Sequence, residues 1–380
     1  CVCATHRASG LQLTSWRQQR QFRVWLFQAF LRACPMKLVH MVAAHQSARL
    51  RRQALAVEGD EMEAVTGLGK TAFLASAARR SEAQAPTPLF RDDFAELFDS
   101  RVFLASLVSV QLPMMARAAR EGGGDADEMP QWLGIGSATA YADARLKAAL
   151  DSGTRQVVLL GGGLDCRPLR LHCPADTRFV EVDEAPVLDF KVRRLAAAGH
   201  APYPSTLVRG SYLKMDLFQE LTRAGVDPMV PVFFMWEANT MYLPSAESRA
   251  FLGKLLTWYP HCTVLFDYFT EPVASPEGPQ STGCAETDRD LELMVRAVGD
   301  GDWLLIGPWD KELARKELEF EVVDERSLAD VVLLTRGEAL GRQLLQRYRR
   351  DFEVGVLACQ HFCEVRPALR KSPNSDIPTV

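Results

Sequence analysis

Three consecutive glycines, Gly161-Gly162-Gly163, run into Leu164-Asp165-Cys166. Such a turn lets backbone pass close to a ligand or take a positive φ, which a residue with a Cβ resists. About twenty residues further on, Glu181-Val182-Asp183 sets a carboxylate where both hydroxyls of a ribose can donate to it. The other reading of Asp183 is a helix N-cap, because Pro186 follows shortly. Asp216-Leu217 offers a polar group for an adenine amino group and an apolar wall for its ring, or, equally well, another helix cap. Glu237 directly follows Phe233-Phe234-Met235-Trp236. A carboxylate there is costly to bury unless paired, so an edge position beside a ligand is the economical reading. A dinucleotide fingerprint would put a further glycine at Cys166, and its absence disfavours a nicotinamide-dependent oxidoreductase. A purely structural glycine turn competes with all of these.

Those residues need elements to hold them. Gln156 to Leu160, Arg178 to Val182, Val232 to Trp236 and Thr263 to Tyr268 are short runs rich in β-branched and aromatic residues, as expected of strands buried on both faces. A short strand near Leu207 to Arg209 fits between them. Helical stretches over Pro186 to Ala198 and Ser245 to Tyr259 alternate with the strands, which predicts a mainly parallel α/β sheet with right-handed crossovers. Helices over Thr66 to Arg80, from Asp92 to about Arg120, and over Tyr141 to Leu150 precede the first strand. Gly122-Gly123-Gly124-Asp125 reads as a break, and Ala274 to Gly283 as a loop. Towards the C-terminus, Phe320 to Val323 and Val354 to Cys359 are candidate strands around a helix from Leu340 to Arg350.

Length and composition bound the remainder. With 380 residues, 47% apolar and 24% charged, the chain can bury a sizeable core as one large domain or a domain with extensions. A formal charge of −4 gives no global electrostatic case for nucleic acid. The nine cysteines are scattered without paired C-x-x-C spacing, so they read as thiols in a reducing compartment and predict no metal site. Val232 to Trp236 is the longest apolar run, far short of the roughly 20 residues that span a bilayer. From Cys1 to Val57 there is no Asp or Glu among nine Arg and Lys residues, a bias of organellar transit peptides. Because the first residue is Cys, a start at Met36, Met41 or Met62 is an equal expectation. The location expected is cytoplasmic, or organellar if that segment is a transit peptide.

Four ordered stretches resemble the leucine carboxyl methyltransferase-like proteins, in particular their bacterial-type branch of S-adenosylmethionine-dependent methyltransferases. They are Gln156 through Arg167; Phe179 through Asp183 with Val187-Leu188-Asp189-Phe190-Lys191; Trp236 through Pro244; and Thr71-Ala72 through Arg79 to Pro88-Leu89-Phe90-Arg91-Asp92. The resemblance implies a class I methyltransferase-like, Rossmann-like doubly wound sheet with an N-terminal helical cap, over residues 62–366, between an extension at 1–57 and a tail at 367–380. It also implies S-adenosylmethionine as cofactor. Gly161 and Gly163 would line the methionine part of the donor, Asp183 the ribose, Asp216 and Leu217 the adenine, and Glu237 the methionyl amino group, with Asp165 also among the cofactor-binding residues. The family's Arg-Thr-Arg-like run before the first strand is here Ala138-Thr139-Ala140-Tyr141, and the threonine of its glycine motif is Cys166.

Methyl transfer from a sulfonium is an in-line displacement, in which holding acceptor and methyl carbon in near-attack geometry and excluding water do much of the work. The expected acceptor is a small-molecule or peptide carboxylate or hydroxyl, with no nucleic acid and no membrane. A carboxylate acceptor is already an anion and needs no general base. Tyr242 could shape the acceptor pocket as the catalytic candidate, against the plainer reading of a core or edge tyrosine. Arg167 and Arg79 could pair with an anionic acceptor, with surface salt bridges as the default. The replaced Arg-Thr-Arg run motivates an alternative, a non-catalytic donor-binding or regulatory protein of the same fold.

Overall fold

The computed structural model describes residues 71–98, 130–270, 311–353 and 356–368. The expectations for the N-terminal extension, for the glycine break and for the loop after Pro272 lie outside the described residues, as does most of the helix expected from Asp92. Helices α1 (Thr71–Ala83) and α2 (Pro130–Asp151) precede the sheet. Then come β1 (Gln156–Leu160), the single-turn α3 (Arg167–Arg170), β2 (Arg178–Asp183), α4 (Ala185–Ala197), β3 (Thr206–Arg209) and α5 (Leu217–Arg223). They are followed by β4 (Val232–Trp236), α6 (Ser245–Trp258) and β5 (Cys262–Phe269). The C-terminal part holds α7 (Lys311–Glu317), β6 (Phe320–Ser327), α8 (Leu328–Arg336), α9 (Glu338–Arg347), α10 (Arg349–Glu353) and β7 (Gln360–Pro367).

The seven strands form one sheet in the order β3-β2-β1-β4-β5-β7-β6. Strands β1 to β5 are parallel, so their carboxyl ends share one edge, and β7 runs antiparallel to both β5 and β6. The order reverses between β1 and β4, the switch point at which doubly wound sheets open a crevice for ligands. The strand expected at Val354 to Cys359 is a correction: Val356–Cys359 is a 3-10 turn and the strand begins after it. The helix expected over Leu340 to Arg350 is divided between α9 and α10, and a further helix, α8, precedes them, entered from β6 through a Ser327/Asp330 capping box. Helix α2 starts at Pro130 and not at Tyr141; proline at a first helical position removes no hydrogen bond.

Strand alternation divides the core. Val158 and Leu160 of β1, with Phe234 and Trp236 of β4, pack with Leu217, Leu221, Phe251, Leu252 and Leu255 from α5 and α6. Val157, Leu159, Phe233 and Met235 point the other way, onto Leu133, Tyr141, Leu146 and Leu150 of α2 and Val331 and Val332 of α8. Burial on both faces explains why β1 and β4 read as continuous apolar runs. A third cluster clamps α1 over the carboxyl edge: Phe73 meets Phe190 of α4 edge-to-face at 5.2 Å, with Phe98 beside them. Helix α1 is thus the N-terminal cap. Among the described residues no helix is long and apolar enough to cross a membrane.

Candidate functional site

The glycine turn leaves β1 at the switch point with φ of 65° at Gly161 and 53° at Gly163, a region that strains any L side chain. Space also excludes a side chain there. A Cβ on Gly161 would run into the Asn239 amide, and one on Gly163 would stand 3.0 Å from the Ala72 methyl of α1. Asp183, ending β2, closes the turn: one carboxylate oxygen accepts from the Gly163 N–H at 2.6 Å and the other from the Glu184 N–H at 2.7 Å. The N-cap of α4 is Glu184, so Asp183 does not cap that helix. Burial raises the Asp183 carboxyl pKa, and the two N–H bonds offset this only in part. Each oxygen keeps a lone pair for a further donor.

Beneath the turn lies a buried ion network. Arg167 pairs with Asp143 at 2.7 Å, with Asp165, and with Glu237 at 2.9 Å. Arg170 also donates to Asp143, at 2.8 Å. Arg79 of α1 reaches Asp92 at 3.2 Å and donates to the Leu164 carbonyl at 2.8 Å, tying the cap to the turn. Arg79 and Arg167 are therefore buried anchors and not surface salt bridges. Burial alone would raise the Asp165 carboxyl, yet Arg167 and then Arg170 hold it well below the usual carboxylate range. Burial likewise works against the Arg167 charge, and Asp165, Glu237 and Asp143 outweigh it. Among the described residues, three guanidinium groups thus meet four carboxylates, one more negative charge than positive. Glu237 is the most exposed carboxylate of the four, its side chain 23% accessible, so the surplus faces the crevice.

The turn after β4 is held on two sides. Ala238 has φ of 55°, and its N–H donates to Asp267 of β5 at 2.6 Å. The Asn239 amide donates to the Glu237 carbonyl at 2.6 Å and to the Gly161 carbonyl at 3.3 Å, while its oxygen accepts from the Tyr212 hydroxyl at 3.3 Å. Tyr212 in turn accepts from the Trp236 indole N–H at 3.2 Å. Asn239 thereby fixes the Glu237 turn to the glycine turn.

Of the residues expected at the site, Gly161, Gly163, Asp165, Asp183 and Glu237 come together at the ends of β1, β2 and β4. Tyr242, on the 3-10 turn Thr240–Tyr242, is hydrogen-bonded to Thr71 of α1, and burial raises its phenol pKa to about 12. Asp216 is exposed and caps α5 through the Gln219 N–H at 3.1 Å; Leu217 packs in the core against the sheet. Both lie beyond the end of β3, at the same edge. In the Ala138-Thr139-Ala140-Tyr141 stretch the side chains of Ala138, Thr139 and Tyr141 are buried, and Tyr141 donates to Asp324 at 3.1 Å. Cys166 is buried, which pushes its thiol pKa up to about 12.

Sequence reasoning missed Asn239, Asp143, Asp267 and the Lys191–Glu181 pair behind the turn, both members of which are fully buried, 2.5 Å apart. Glu181 also accepts from the Tyr203 hydroxyl at 2.5 Å. For Asp267 a signal existed, an acid inside the apolar run Val264 to Phe269. For Asn239 there was none.

Residues 72–256 match the model of a family described as leucine carboxyl methyltransferase. A relative from Mycolicibacterium paratuberculosis (strain ATCC BAA-968 / K-10), named "Putative S-adenosyl-L-methionine-dependent methyltransferase", is 36% identical over 199 residues, 52% of this chain and 64% of its own length. A relative of the same name from Mycobacterium sp. (strain KMS) is 34% identical over 217 residues, 52% of this chain and 66% of its own. The chain thus spans somewhat less than two thirds of these curated relatives. A DUF574 family protein from Streptomyces avermitilis MA-4680 superposes with a TM-score of 0.44 at 15% identity over 77% of this chain and 97% of that one, too loose a likeness to bear on the chemistry.

Proposed function

Taking the match of residues 72–256 to the leucine carboxyl methyltransferase family as the premise, we propose that this chain binds S-adenosylmethionine along the carboxyl edge of its sheet and methylates an oxygen of a small-molecule or peptide carboxylate or hydroxyl. The observation that carries the reading is the convergence of a Cβ-free turn, a carboxylate with free lone pairs at Asp183 and a surplus negative charge at Glu237. The donor fits all three: its methionine backbone passes Gly161 and Gly163, its ribose hydroxyls donate to Asp183, and its ammonium meets Glu237. Asp216 and Leu217, at the end of β3, are the adenine side of this proposal, and Asp165 holds the turn through Arg167. When bound, the donor supplies the electrophilic methyl carbon. The protein's part is to orient and to exclude water: α1 covers the turn, and Tyr242, tied to Thr71, borders the acceptor side. Tyr242 keeps its proton at neutral pH, so it acts as a shaping and hydrogen-bonding group and not as a base.

Glu237→Gln keeps the shape and removes the surplus charge. The expected result is donor affinity lower by about tenfold to a hundredfold, the loss of one charge-assisted hydrogen bond. Calorimetry on the variant checks it, and an unchanged Kd would move the ammonium elsewhere. Incubation with methyl-labelled donor and a panel of carboxylic acids and hydroxyl compounds tests the acceptor class, since methyl esters of carboxylates are base-labile and ethers are not. The buried, cation-free side chains of Ala138 and Thr139 favour one alternative, a donor-binding protein without turnover. Binding with no labelled product across that panel would support it.

A further inference from the structure

Asp267, which holds the turn after β4 through the Ala238 N–H, is a buried carboxylate that makes no ion pair with the Arg167 network as described above. It lies on β5, 1% exposed, directly under the Glu237 turn. One oxygen accepts from the Ala238 N–H at 2.6 Å, the other from the Gln360 amide of β7 at 2.8 Å, and its backbone carbonyl accepts from the Thr240 hydroxyl. All three bonds are to neutral groups. Among the described residues, Glu237, on the turn after β4, and the Tyr242 phenol, on the 3-10 turn, act on it; β7 offers it the neutral Gln360 amide and also carries His361 and Glu364, the latter paired with Arg145. Asp267 and Glu237 are therefore two acids sharing one edge, with Arg167 paired to Glu237 alone among the two.

We propose that Asp267 is a positioning residue of the donor site, acting through the Glu237–Thr240 turn, and that arrival of the cationic donor beside Glu237 drives the proton off Asp267. This rests on the donor site proposed above. Burial, then the Glu237 charge, raise the Asp267 carboxyl to about 7, while the Gln360 and Ala238 bonds lower it. In the free protein near neutral pH, Asp267 is thus divided between its two forms. The ammonium relieves the repulsion between the two carboxylates, so the ionised form binds more tightly, and by linkage binding releases a proton to the buffer. The sign for stability is opposite. A carboxyl raised on folding stabilises the fold at low pH, and that contribution is lost as pH rises from the unfolded value through about 7.

The test is calorimetry of S-adenosylmethionine binding to the full chain from pH 5.5 to 8.5, in buffers of different ionisation enthalpy. The expected result is a Kd weaker at pH 6 than at pH 8, by at most about tenfold, the limit set by the ionised fraction of a carboxyl titrating near 7. Net proton release should accompany binding at pH 7. In Asp267→Asn the limb and the release vanish, and affinity is independent of pH and no tighter than the wild-type value at pH 6. Thermal stability of that variant at pH 8 should not fall, because no buried charge is left. A limb confined to the ordinary carboxylate range, or one near 7 that survives in Asp267→Asn, overturns the inference while leaving the donor site standing. Absence of binding at every pH removes the donor site, and the inference with it.

Discussion

Asp183→Ala is expected to weaken binding of the methyl donor by about a hundredfold or more. Two ribose hydroxyls donating to one carboxylate contribute about 1.5 kcal/mol each at the low end for hydrogen bonds to a charged group, which together is about two decades in Kd. The same carboxylate accepts from Gly163 and Glu184, so its removal also strands the Gly163 N–H of the turn, while the exposed Glu184 N–H turns to water. Alanine should therefore cost about 1–3 kcal/mol of stability as well. Asp183→Asn separates the two roles, because an amide retains one acceptor for the Gly163 N–H while losing the charge and the second acceptor. Isothermal titration and urea unfolding on both variants give the comparison. A donor affinity unchanged in Asp183→Asn would leave Asp183 with only the turn to hold.

Lys191→Met should cost about 3–5 kcal/mol, the penalty for stranding a buried charge. Lys191 and Glu181 are both inaccessible to solvent, and Lys191 also lies 5.1 Å from the centre of the Tyr203 ring. Burial works against the Lys191 charge, and Glu181 more than restores it. Without the ammonium, the Tyr203 hydroxyl is, among the described residues, the one side-chain partner left to Glu181, whose buried carboxylate is then uncompensated. Urea denaturation at neutral pH measures the loss. A double replacement, Glu181→Gln with Lys191→Met, should recover part of it, since no uncompensated charge remains. A single-variant loss under about 1 kcal/mol would contradict a buried ion pair at this position. Gly162 sits above this pair, with the Glu181 carboxylate 3.7 Å from where its Cβ would be, so the loss should be felt in the glycine turn too.

Strands β1 and β4 were legible to the residue, because burial on both faces makes every position after Gln156 in β1, and every position in β4, apolar. The C-terminal strand β7 was not. It is antiparallel near the sheet edge and carries His361, Glu364 and Arg366, so its hydropathy shows no run, and the apolar Val354 to Cys359 just before it drew the assignment instead. Among the candidate site residues, Gly161, Gly163, Asp183 and Glu237 could be singled out because each ends a recognisable strand or lies in the turn after one. The ion network could not, because Asp143, Arg167 and Arg170 meet only after α2 has packed beside α3. Asn239 was invisible for a similar reason: its three carbonyl partners belong to a turn seventy-odd residues away or to its own backbone neighbours. Pairing across elements has no local pattern, whereas strand ends do.

The donor site itself is tested most directly by titrating the full chain with S-adenosylmethionine and its demethylated product in a calorimeter at pH 8. The expected result is one saturable site for each ligand, weakened in Glu237→Gln and more strongly in Asp183→Ala. Heats no different from dilution for both ligands, with a chain that unfolds cooperatively, would contradict it.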